Sequence, residues 1–104
     1  MDTQKPSYYA IIPAKVRYDP ELIPNEKLLY GEITALSNKE GYCWANNAYF
    51  ARLYNVSKRS ITRWLDHLKT KNYITVTFSF IPNTKQIDKR IIRLKNFNLD
   101  IDTL

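Results

Sequence analysis

One short run holds the side chains best suited to chemistry: Ser57, Lys58, Arg59, Ser60, Thr62 and Arg63. Cations alternate here with hydroxyls. Such groups bind. An arginine pairs bidentately with the edge of a guanine, while lysine and threonine hold phosphate or read a base edge. A second set, Asn46, Lys85, Lys89 and Arg90, has the chemistry for holding a phosphate backbone, which supplies affinity and salt dependence rather than sequence choice. The chain has no glycine-rich phosphate loop, no paired carboxylates beside a base and no arranged nucleophile. The expectation is a binding protein and not an enzyme, with no cofactor and no small-molecule substrate.

The elements that must position these groups lie between Asn46 and Ile74. Asn46 suits the N-cap of a short helix through Tyr54, with Phe50 and Leu53 inward and the small Ala51 where a second helix crosses. Asn55 follows where a turn needs a left-handed backbone, which asparagine tolerates. Val56 plugs the turn, and Ser57 caps a helix from Lys58 to about Lys71. Ile61, Leu65 and Leu68 form its inner stripe. With Ile61 at zero, Arg59 and Arg63 fall near about 160° and 200°, Asp66 and Thr70 share that outward face, and Thr62 flanks it. Arginines four residues apart repel one another, a penalty that a polyanion against this face removes. A solvated basic face is the bland alternative. Asp66 fits least simply; an i, i+3 pair that orients Arg63 is the favoured role. Trp64, on the edge of the stripe, reads as packing, and His67 as a surface or flank residue.

Residues 73–80 alternate, with Ile74, Val76, Phe78 and Phe80 on one side and Thr75, Thr77 and Ser79 on the other, which predicts a half-buried strand. Residues 81–86 make a turn and Ile87 to Lys95 a returning strand, with Lys85, Lys89 and Arg90 at or near the tip. Solvated hairpin charge is the alternative to phosphate contact. Two helices, a tight turn and a hairpin make a winged helix-turn-helix of the α+β class: three helices, a short strand and a C-terminal β-hairpin wing. The partner this fold class predicts is double-stranded DNA.

Charge supports that assignment. The net charge is +6, which permits nucleic-acid binding without proving it. Residues 1–51 carry five basic and six acidic side chains, whereas residues 52–95 carry eleven basic side chains against Asp66 and Asp88 alone. All the positive excess therefore falls on the half that holds the proposed interface. At 104 residues the chain has the size of one small domain. A single cysteine and a single histidine exclude an internal disulfide and a zinc cluster. With no signal-peptide pattern and no apolar run of membrane-span length, a cytoplasmic protein is expected.

Upstream, residues 1–7 read as a flexible tail, and Tyr8 to Ile12 as an extended segment that packs on the domain and stops at Pro13. Tyr8 and Tyr9 as part of a partner surface is the alternative. YDPELIP reads as loop. NEKLLYGEITALSN predicts an amphipathic helix with Leu28, Leu29, Ile33 and Leu36 inward, started by Pro24 and Glu26. Gly31 within it costs about 1 kcal/mol relative to alanine, which a close approach by another element would explain. Tyr42-Cys43-Trp44 reads as a very short strand, with Cys43 a buried hydrophobe and Trp44 in the core. The domain then spans 8–95, and residues 96–104 form an acidic tail in which Phe97, Leu99 and Ile101 alternate.

Residues 8–74, above all KLLYGEITALSNKEGYCWA and YFARLYNVSKRSITRW, resemble the helix-turn-helix domain at the front of many replication proteins of Gram-positive phages and mobile elements, the replisome-organiser type among them. The resemblance implies a winged helix that binds DNA, sometimes at a phage origin. Asn55 and Asn72 stand where related sequences often have glycine. Larger members carry a C-terminal part that engages the host helicase-loading machinery; this chain stops just after the wing, so that part is expected to be missing. Host replication proteins are partners the resemblance implies. A second copy is another, since helix-turn-helix proteins often bind paired half-sites, although the chain has no heptad run. A small transcriptional regulator of a mobile element, and a protein–protein adaptor using Tyr8, Tyr9 and Phe97, are the competing roles.

Overall fold

The computed structural model describes residues 9–95. The tails expected at 1–7 and 96–104, along with Tyr8 and the Phe97, Leu99 and Ile101 alternation, lie outside the described residues. In chain order the elements are α1 (Ala14–Arg17), α2 (Pro24–Leu36), α3 (Asn47–Tyr54), α4 (Lys58–Thr70), β1 (Ile74–Phe80) and β2 (Ile87–Leu94). This is the expected winged helix-turn-helix with one helix added. That addition, α1, is a single turn that buries Val16 completely. No element was expected at residues 14–17, because one turn is too short to display a period.

Pro24 opens α2, where a missing N–H costs nothing. The Glu26 carboxylate accepts the Ile23 backbone N–H at 3.0 Å, satisfying a donor the helix leaves free. Leu29, Tyr30, Ile33 and Ala35 are buried, but Leu28 is 52% exposed, against expectation. It lies about 100° around the helix from Leu29 and falls on the flank. Gly31 does mark a close approach. A Cβ there would stand 3.1 Å from both Ala10 Cβ and Ile12 Cγ1. The N-terminal segment is held by the Ile11 N–H, which donates to Thr34 Oγ1 at 2.8 Å.

Two polar clusters tie α2 and its approach to the end of α4. Glu26, itself buried, reaches His67 Nδ1 at 2.9 Å. His67 is therefore a link between helices and not a plain flank residue. The Tyr73 hydroxyl donates to Asp19 Oδ2 at 2.6 Å, and Lys71 Nζ lies 3.2 Å from the same oxygen while also pairing with Glu21. The Tyr73 hydrogen bond first, then the Glu21 backbone N–H and Lys71, hold the Asp19 carboxyl down at about 2.

The helix-turn-helix itself follows its local signals. Asn46 Oδ1 accepts the Tyr49 N–H at 2.8 Å, Asn55 adopts φ 57° and ψ 51°, and Ser57 Oγ accepts the Ser60 N–H at 3.1 Å. Phe50, Ile61, Trp64, Leu65 and Leu68 then meet in one core with α2. After α4, Asn72 is again left-handed at φ 67°, and the Tyr73 N–H returns to the Leu68 carbonyl at 2.9 Å, closing the helix end.

β1 and β2 pair antiparallel from Ile74↔Leu94 to Ser79↔Lys89, with an irregularity before Phe80↔Ile87. Cys43 adds a single bridge to Ile92 on the other edge of β2. Cys43 is fully buried, and burial pushes its thiol up to about 11, so it serves as a small apolar filler. Since successive strand residues face opposite sides, an inward Cys43 turns Tyr42 and Trp44 outward. Trp44 is 49% exposed, which corrects its expected place in the core. The hairpin also outruns the helices. Ile74 and Val76 pack on the core, but Phe78 and Phe80 are about half exposed.

Among the described residues, no helix is long and apolar enough to cross a membrane, and no group of three or more His, Cys, Asp or Glu side chains is placed to hold a metal ion.

Candidate nucleic-acid interface

The Ser57 cap fixes the start of α4, and the buried stripe of Ile61, Leu65 and Leu68 fixes its rotation. Lys58, Arg59, Thr62 and Arg63 consequently face solvent along one exposed strip that begins in the first turn. Among the described residues no carboxylate pairs with Lys58, Arg59 or Arg63. Asp66 is exposed and makes no ion pair with Arg63, so the expected i, i+3 pair is absent. The Ser57 and Ser60 hydroxyls are 3.2 Å apart and hydrogen-bonded to each other, and so serve the cap.

A polar relay runs from the wing to this strip. Arg90, on β2, donates through Nη1 to Asn47 Oδ1 at 2.7 Å and through Nη2 to the Ala45 carbonyl at 2.8 Å. The Asn47 side-chain amide donates in turn to Thr62 Oγ1 at 3.0 Å. One guanidinium thus joins the hairpin, the start of α3 and the outward side of α4. Arg90 is partly buried, and burial lowers its pKa, but an arginine starts so high that it keeps its charge. Asn47 was not singled out from the sequence; its position beside the Asn46 cap is the only signal there.

The remaining predicted residues divide. Asn46 is exposed at the start of α3, with its carbonyl oxygen used by the cap. Lys85 is exposed at the wing turn. Lys89 lies with its ammonium 5.4 Å from the Trp44 ring centroid and 5.7 Å from that of Tyr42. A cleft of about 640 Å³ separates the loop before α3 from the wing and is lined by Trp44, Asn46, Asn47, Phe78, Lys89 and Arg90 among others.

A family model described as "Helix-turn-helix domain" matches residues 21–74, over half of the chain. The chain belongs to the helix-turn-helix family. No curated protein and no solved structure matches it. The matched span runs from just before α2 into β1 and contains both helices of the motif with the turn between them. Membership makes this a DNA-binding domain, and the structure adds the wing beyond the matched span. In helix-turn-helix proteins the second helix of the pair lies in the major groove with its N-terminal residues at the base edges. Here that helix is α4, and its first turns carry the free cations.

Proposed function

We propose that the protein recognises a specific sequence in duplex DNA, with α4 in the major groove. Arg59 and Arg63 read base edges, Lys58 and Thr62 hold phosphate or an edge, and Asn46 with the exposed Lys85 steadies the backbone on either side. The observation that carries this reading is the outward strip of α4, where Arg59 and Arg63 are exposed and unpaired by any carboxylate among the described residues. Arg90 supports the site from behind by holding the wing against Asn47 of α3, which in turn donates to Thr62. The resemblance to phage and mobile-element replication proteins favours origin recognition as the setting. A small transcriptional regulator would use the same contacts at a promoter.

Selection of bound molecules from a pool of random duplex DNA tests this reading. A defined motif is expected, and its symmetry reports whether one copy or two paired copies bind. Occurrence of that motif in clustered repeats at an origin supports the replication role, and occurrence at promoters the regulatory one. A pool that remains random after repeated rounds contradicts sequence-specific recognition.

A further inference from the structure

The outer face of the sheet carries a second arrangement of binding groups. Ile74, Val76, Ile92 and Leu94 turn the inner face toward the core. The opposite face therefore presents Tyr42, Trp44, Lys89 and Arg93 to solvent. Trp44 is 49% exposed. Its indole N–H donates to Glu40 Oε1 at 3.1 Å, which fixes the ring by its edge. The Lys89 ammonium lies over both rings, 5.7 Å from the centre of Tyr42 and 5.4 Å from that of Trp44, and the Arg93 guanidinium lies 5.4 Å from Tyr42. Among the described residues, no carboxylate pairs with either cation.

We propose that this face binds single-stranded DNA, with unpaired bases stacking on Trp44 and Tyr42 and with Lys89 and Arg93 holding the phosphates. Aromatic rings flanked by cations are the chemistry that recognises an unpaired strand, because every base offers a π-face and every linkage a charge. The Lys89 ammonium lies near both rings, so a base that stacks on either one displaces it. The cation has no carboxylate to leave, so it swings to a phosphate as the base enters. Bases within a duplex are already stacked on both sides and cannot use such a site. The face differs from the outward strip of α4 in what it offers, aromatic rings beside cations rather than cations alone, and the cleft lined by Trp44, Lys89, Asn46 and Asn47 lies at its margin.

Titration of the full chain with a short oligothymidylate, read by tryptophan fluorescence, tests the proposal. Trp64 is buried and Trp44 is half exposed, so stacking quenches chiefly Trp44. Trp44→Ala is expected to weaken oligothymidylate binding about tenfold or more, Trp44→Phe to retain most of the affinity, and Lys89→Ala to weaken binding and its salt dependence. Duplex affinity of the Trp44→Ala protein, measured alongside, is expected to stay within about twofold of the parent, which also certifies that the variant is folded. Conversely, Arg59→Ala with Arg63→Ala is expected to leave oligothymidylate binding intact. Absence of quenching in the parent chain overturns the proposal. So does a Trp44→Ala protein that binds the oligonucleotide as tightly as the parent, or one that loses duplex and single-strand affinity equally.

Discussion

Replacing Arg59 and Arg63 together by alanine is expected to lower affinity for the selected duplex about a hundredfold or more. Each well-placed arginine–base pair contributes about 1–3 kcal/mol of discrimination, and every 1.4 kcal/mol is tenfold in affinity. Fold stability should hardly change. Both side chains are exposed and without a partner among the described residues, and exposed substitutions of this kind usually stay within about 0.5 kcal/mol. Two like charges four apart on a helix also repel, so their removal relieves a small penalty. Gel retardation with the selected duplex, paired with a thermal melt, separates the two effects. Unchanged retardation with an unchanged melt would remove α4 from the interface.

Arg90→Ala should act in the opposite manner, through stability first and affinity second. The substitution leaves Asn47 Oδ1 and the Ala45 carbonyl without their donor and frees the wing from α3. A hydrogen bond to a charged group contributes about 1.5–3 kcal/mol where it is shielded from water. With Arg90 only partly buried, a loss of about 2 kcal/mol is expected, which lowers the melting temperature of a chain this size by roughly ten degrees. Arg90→Lys discriminates between a buttress and a phosphate contact. Lysine lacks the planar fork that reaches two acceptors at once, so a buttress is not rescued and the salt slope of DNA binding stays the same. A phosphate contact would survive in the lysine variant and would lower the slope by about one in Arg90→Ala. Lys85→Ala, at the exposed wing turn, provides the comparison and is expected to reduce the slope in that way. Melting curves and binding over a range of salt concentrations give both readings.

The helix-turn-helix was legible in the sequence because its determinants are local. The Asn46 and Ser57 caps, the left-handed Asn55 and the Ile61, Leu65 and Leu68 stripe are each set within one or two turns of chain. The exposed cations on α4 followed from the same arithmetic. What escaped depended on partners far away in sequence. His67 meets Glu26 across 41 positions, and Arg90 meets Asn47 across 43. No periodicity encodes either pairing. Trp44 was placed on the wrong side because a three-residue strand has no visible phase, and only the pairing of Cys43 with Ile92 sets which neighbours point outward. Phe78 and Phe80 share the face of Ile74 and Val76 yet are about half exposed, because alternation reports a face and not how far the core extends beneath it. The wing residues Lys85, Lys89 and Arg90 thus looked alike in sequence, whereas the fold assigns one to the tip, one to an aromatic pair and one to the relay.

The central claim is that the outward strip of α4 is the surface that meets duplex DNA, and amide chemical shifts followed during titration with the selected duplex test it most directly. The largest changes are expected at Lys58 to Arg63, with smaller ones at Asn46, Asn47 and the wing turn around Lys85. Changes confined to the outer sheet face near Tyr42, Trp44 and Arg93, with α4 undisturbed, would contradict it.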